Sequence, residues 1–78
     1  MSNDYVKKIK KLIADKAGVE LSDVRDESYF EDDLNLGSMD LVDILEELED
    51  ALHVELIEEK ENISTVGELI ELVEEQIE

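Results

Sequence analysis

Three stretches of this chain repeat apolar residues at steps of three and four, the period of a helix that buries one face. In residues 4–17 the stripe is Val6, Ile9, Ile13 and Ala17, with Tyr5 and Leu12 beside it. In residues 38–52 it is Leu41, Ile44, Leu45, Leu48 and Leu52, and from Val66 to about Ile77 it is Val66, Leu69, Ile70, Val73 and Ile77. The punctuation agrees with these limits. Asn3 or Asp4 can cap the first helix and Gly18 can close it. Thr65 and Glu68 have the spacing of a capping box at the start of the last. Glu58–Asn62 is long enough for one more helical turn. No run alternates at the strand period, and proline is absent. The expected fold class is all-α: a small bundle of three main helices plus one short helix, with a long first loop. At 78 residues the chain is expected to form a single domain, residues 1–78.

Residues 18–37 form that loop. Gly18, Ser22, Asp23, Asp26, Asn35 and Gly37 are turn formers. Val19, Leu21, Val24, Tyr29, Phe30, Leu34 and Leu36 punctuate it, so the loop is expected to be pinned on the core. Ser28 and Glu31 match a capping box and predict a short helical turn at Tyr29–Asp33.

Charge narrows the functions. The 24 acids and 7 bases leave a net charge of −17. A phosphate backbone or an anionic membrane would be repelled, so neither nucleic-acid binding nor membrane insertion is expected. Cysteine is absent and His53 is the single histidine. That removes a disulfide framework, a thiolate zinc site and a cysteine nucleophile, and no metal site is expected. Asp26, Glu27, Glu31, Asp32 and Asp33 lack the spacing of a calcium loop and predict only loose counter-ion binding. No secretion signal is seen, so the expected location is cytoplasmic. The charge is also uneven: residues 1–18 carry +3 and residues 19–78 carry −20.

One place carries chemistry. In Asp33-Leu34-Asn35-Leu36-Gly37-Ser38-Met39-Asp40-Leu41 a serine sits where the loop enters an acidic helix. A serine there is commonly an N-cap. The same position suits a modified hydroxyl, because a helix N-terminus offers free N–H groups and a positive dipole end to a phosphate. Catalysis is not expected: His53 lies fifteen residues on, about four turns away along the same helix, and no Ser–His–acid set is available.

These residues resemble an acyl carrier protein. The likeness rests on Asp33-Leu34, Ser38-Met39-Asp40, Val42-Asp43-Ile44 and Leu48-Glu49. Gly18-Val19, the segment Ser28-Tyr29-Phe30-Glu31-Asp32-Asp33-Leu34, and Ile63-Ser64-Thr65-Val66 extend it over nearly the whole chain. The resemblance implies a 4′-phosphopantetheine taken from coenzyme A by a phosphopantetheinyl transferase and attached to Ser38. Acyl groups would ride on its thiol as thioesters to the enzymes of fatty-acid synthesis. The protein would be a non-catalytic carrier and is expected to be a monomer. Met39, Asp40, Val42, Asp43, Glu46 and Glu47 would form the face that docks on basic partner surfaces, and Ile44, Leu45, Leu48 and Leu69 would line the acyl-chain pocket.

Three positions depart from the family's most familiar pattern. Gly37 stands where aspartate is usual before the serine, and Met39 where leucine is usual after it. Glu46 stands on a helix face that is commonly apolar there. These leave open a specialised carrier for polyketide, peptide, lipid or D-alanyl transfer. An acidic adaptor that binds basic proteins without modification is the third reading.

Overall fold

The computed structural model describes residues 4–77. It has three α-helices: α1, Asp4–Ala17; α2, Ser38–Leu52; and α3, Val66–Ile77. Two 3₁₀ segments lie between them, Leu21–Asp23 and Ile57–Asn62. The architecture is the all-α bundle expected, and the short helix of the 58–62 region starts one residue early and winds as 3₁₀. The sequence reading missed the turn at Leu21–Asp23. Asn3, a proposed cap of α1, lies outside the described residues, and Asp4 is the first helical residue.

The helical stripes meet in one core. Ile9, Ile13, Ile44, Leu45, Leu48, Leu56, Val66, Leu69 and Val73 are fully buried. α2 packs on α1 and on the second 3₁₀ segment, and α1 packs on α3. Ile77, assigned to the α3 stripe, is instead 44% exposed, because the helix ends there beyond the edge of the core. Val19 and Leu21 are likewise exposed, and the loop is pinned by Val24, Phe30, Leu34 and Leu36 instead.

Helix ends follow the local chemistry. Gly18 has φ +73°, and the N–H groups of Gly18 and Val19 both return to the Ala14 carbonyl, which closes α1. The Thr65–Glu68 capping box forms reciprocally. The Glu68 carboxylate accepts from Ser64 N–H at 2.6 Å and Thr65 N–H at 3.2 Å, and Glu68 N–H donates to Thr65 Oγ1 at 3.3 Å.

The long loop is clasped to the start of α3. Phe30 N–H donates to the Ser64 carbonyl, Val66 N–H to the Ser28 carbonyl and Gly67 N–H to the Asp26 carbonyl, at 3.0, 3.0 and 2.8 Å. Tyr29 and Thr65 form an isolated antiparallel bridge. A Cβ on Gly67 would lie 3.0 Å from the Asp26 carbonyl oxygen, so a side chain there would push the Asp26 backbone back by a few tenths of an ångström.

The expected short helical turn at Tyr29–Asp33 forms and goes no further. Asp33 and Leu34 N–H both donate to the Tyr29 carbonyl. The Ser28/Glu31 box does not form. Ser28 Oγ accepts from Arg25 N–H, and the Asp33 carboxylate takes the Tyr29 N–H at 2.8 Å. The bridge to Thr65 engages Tyr29, where the turn begins.

Candidate functional site

The chain reaches α2 through Asn35, which has φ +56°, and Leu36, whose N–H donates to the Phe30 carbonyl at 2.8 Å. Leu34 and Leu36 are buried, so the last loop residues are anchored from below while Gly37 and Ser38 stay exposed. The loop therefore delivers Ser38 to the surface at the mouth of a helix.

Ser38 is not the N-cap that its type and place suggest. Gly37 is the N-cap, in an extended conformation, and its carbonyl accepts the Leu41 N–H at 3.0 Å. Ser38 is the first helical residue. The capping work passes to Asp40, whose carboxylate accepts the Gly37 N–H at 3.3 Å and lies in the first turn, where the helix dipole favours an acid. The Ser38 hydroxyl thus has no hydrogen-bond partner among the described residues. A serine released from capping, exposed and beside free helix N–H groups is available for chemistry on its oxygen.

Gly37 leaves its surroundings open. A Cβ there would meet nothing within 4 Å, and its φ of −77° is ordinary for any residue. The backbone therefore does not require glycine at this position.

Two depressions flank Ser38. One, of 280 Å³, lies on the loop side and includes Phe30, Glu31, Asp32, Leu41 and Ile63. The other, of 300 Å³, is bounded by Met39, Val42, Asp43 and Lys60. Lys60 escaped the sequence reading. It is the single base after Arg25, a visible signal, but only the fold brings it across from the second 3₁₀ segment to the serine.

The residues assigned to docking share the outer side of α2. Met39 is 82% exposed, Asp43, Glu46 and Glu47 are exposed, and Val42 is half-buried. Asp43 is partly engaged, with Lys16 Nζ 3.7 Å from its carboxylate. Of the residues assigned to an acyl pocket, Ile44, Leu45 and Leu48 lie on the buried side of α2 and Leu69 lies on α3. Ile44, Leu45 and Leu69 are wholly buried and Leu48 is 1% exposed; none of the four lines either depression beside Ser38. His53 ends α2 in the left-handed conformation, φ +58°, with its N–H on the Glu49 carbonyl. It sits at the far end from Ser38.

No described helix is long and apolar enough to cross a membrane. Comparison with known proteins covers most of the chain. Residues 7–73 match the family model described as the phosphopantetheine attachment site. Over 73 residues the chain is 41% identical to the acyl carrier protein of Rubrobacter xylanophilus, spanning 92% of this chain and 90% of that protein. A chain matched over nearly its whole length in both comparisons, with a free serine opening an acidic helix, belongs to the acyl carrier protein family, whose prosthetic group is phosphopantetheine.

Proposed function

We propose that this protein carries acyl groups for fatty-acid synthesis on a 4′-phosphopantetheine attached through a phosphodiester to Ser38. One observation carries the assignment: the Ser38 hydroxyl is exposed, uncommitted and at the first position of α2. These features fit the group. Bound there, the phosphopantetheine supplies a thiol that holds acyl cargo as a thioester. The protein is a carrier and not an enzyme, and it works in the cytoplasm as a single domain and a monomer.

The chain's own residues do three things. The N–H groups of the first turn of α2 and its dipole favour the phosphodiester charge at Ser38. Met39 and Val42 offer a small apolar contact, ringed by Asp40, Asp43, Glu46 and Glu47. These acids steer basic partner surfaces, including the phosphopantetheinyl transferase, and speed encounter. Each exposed pair adds little affinity, so the carrier can leave every enzyme quickly. Ile44, Leu45, Leu48 and Leu69 form an aliphatic layer without large rings, which would part to shelter an acyl chain.

A second reading is favoured by Gly37 and the exposed Glu46: a specialised carrier for polyketide, peptide, lipid or D-alanyl transfer. Both readings share Ser38.

The test is an intact mass after incubation with coenzyme A, Mg²⁺ and a broad-specificity phosphopantetheinyl transferase. The expected result is the gain of one phosphopantetheine by the native chain and none by Ser38→Ala. No gain with several transferases would overturn the assignment and favour an unmodified acidic adaptor.

A further inference from the structure

Ser38 stands between two depressions of similar size but different charge, one acidic and the other lined by one acid and one base. The loop-side one is bordered by Glu31 and Asp32 and has no cation. The other is bordered by Lys60. Its acid, Asp43, faces Lys16 of α1 at 3.7 Å. Among the described residues no carboxylate lies within ion-pair distance of Lys60. Its neighbour Glu59 is turned to the Asn62 amide at 2.9 Å. An uncommitted ammonium in the stretch that carries −20 is conspicuous, because none of the described acids is paired with it.

We propose that Lys60 is a positioning residue for the arm: its ammonium pairs with the phosphodiester on Ser38 and holds the arm over the Met39–Val42 side of α2. The inference rests on Ser38 being the attachment site. A phosphodiester carries one negative charge, so it is repelled from Glu31 and Asp32 and drawn to Lys60. The apolar Met39 and Val42 then lie beneath the start of the arm. The same side of α2 carries the proposed docking residues, so the arm would be presented at the centre of the partner interface. An exposed ion pair biases such a choice without locking it, which leaves the arm free to swing.

The experiment uses the full chain, loaded and verified by intact mass. A nitroxide is attached to the arm thiol, and relaxation enhancement is read at Met39 and Val42 against Ile63 and Leu36. The expected occupancy of the Met39–Val42 side is about two- to fivefold above the loop side, the bias an exposed ion pair supplies. Lys60→Gln should bring the two sides to parity, and Lys60→Arg should restore the bias. High salt should weaken it. In the unlabelled protein the Lys60 Cε–Hε signal should move on loading while that of Lys11 stays. Equal broadening on both sides in the native chain, or a Lys60 signal unchanged on loading, would overturn the role of Lys60 and leave Ser38 intact. Failure to gain the group at all would overturn the Ser38 assignment itself, and this inference with it.

Discussion

Gly37 is a residue whose identity the fold does not explain. Its backbone is ordinary, and a side chain there would enter open space. As N-cap it lacks the oxygen that serine, aspartate or asparagine would offer to the N–H groups of α2. Gly37→Asp should therefore raise stability by a few tenths of a kcal/mol, tempered by the nearby Asp40, and should not lower it. If the family's usual aspartate engages the transferase, the same variant should also load faster, with the gain in kcat/KM. A thermal melt and a loading time course check the two halves separately. A fall in stability would show a steric constraint not visible around Gly37. Ser38 was legible in the sequence because its setting is a motif, but its role at the helix end was not. Serine is a preferred N-cap, and choosing between Gly37 and Ser38 for that place requires the loop geometry set by Leu34 and Leu36, not residue type.

At the scale of elements, the joint between α2 and the second 3₁₀ segment depends on one carboxylate. Glu49 accepts from Leu56 N–H at 2.6 Å and Ile57 N–H at 2.9 Å. It thereby satisfies the free donors that start the 3₁₀ segment carrying Lys60. The Ile57 bond first and the Leu56 bond second lower its pKa from the ordinary 4.5, and partial burial opposes them. A carboxyl whose folded pKa is lowered adds stability above its ordinary value, and loses it as pH falls through the folded pKa. Glu49→Ala should cost about 1–2 kcal/mol at neutral pH, allowing for solvent around the site. Glu49→Gln keeps an acceptor and should cost less. Urea denaturation should show the native-minus-Gln difference constant above pH about 5 and shrinking below about 4. A difference unchanged across that range would refute the charge-assisted role. The three α-helices were legible because a 3.6-residue period needs only local sequence. The joint was not, because Glu49 lies on an acid-rich helix where nothing marks it from Glu46 or Glu47. The Tyr29–Asp33 turn was legible, but its Ser28/Glu31 box was not what closes it: Ser28 turns back to the Arg25 N–H and Asp33 takes the Tyr29 N–H.

The whole molecule is an acidic body with a basic first helix. Its Cα radius of gyration is 11.2 Å, close to the roughly 11.5 Å expected of a compact chain this long. The described residues, with 23 acids and 7 bases, therefore hold a net −16 within 29 × 26 × 19 Å. α1 offsets part of this through Lys10 on Asp26 at 3.0 Å and Lys16 on Asp43 at 3.7 Å. Both pairs are solvent-exposed and worth about 0–1 kcal/mol each. Salt weakens them, but it weakens a far larger sum of like-charge repulsion. The screening length is about 30 Å at 0.01 M and about 10 Å at 0.1 M. At the lower value every acid feels every other across the molecule; at the higher only neighbours do. The Tm should therefore rise with salt, by about 5 °C over that range if roughly 1 kcal/mol of repulsion is relieved, and further with Mg²⁺. The proposed docking face adds to this cost. Glu46→Gln/Glu47→Gln removes two exposed acids that make no ion pair among the described residues, so it should raise the Tm at low salt and flatten the salt dependence. In the proposed function the same variant should slow association with basic partners. A melt series in NaCl on both proteins decides the matter: a Tm that stays level from low to moderate salt would mean that the acids are already neutralised by bound counter-ions, and that the steering field of α2 is weaker than its sequence implies.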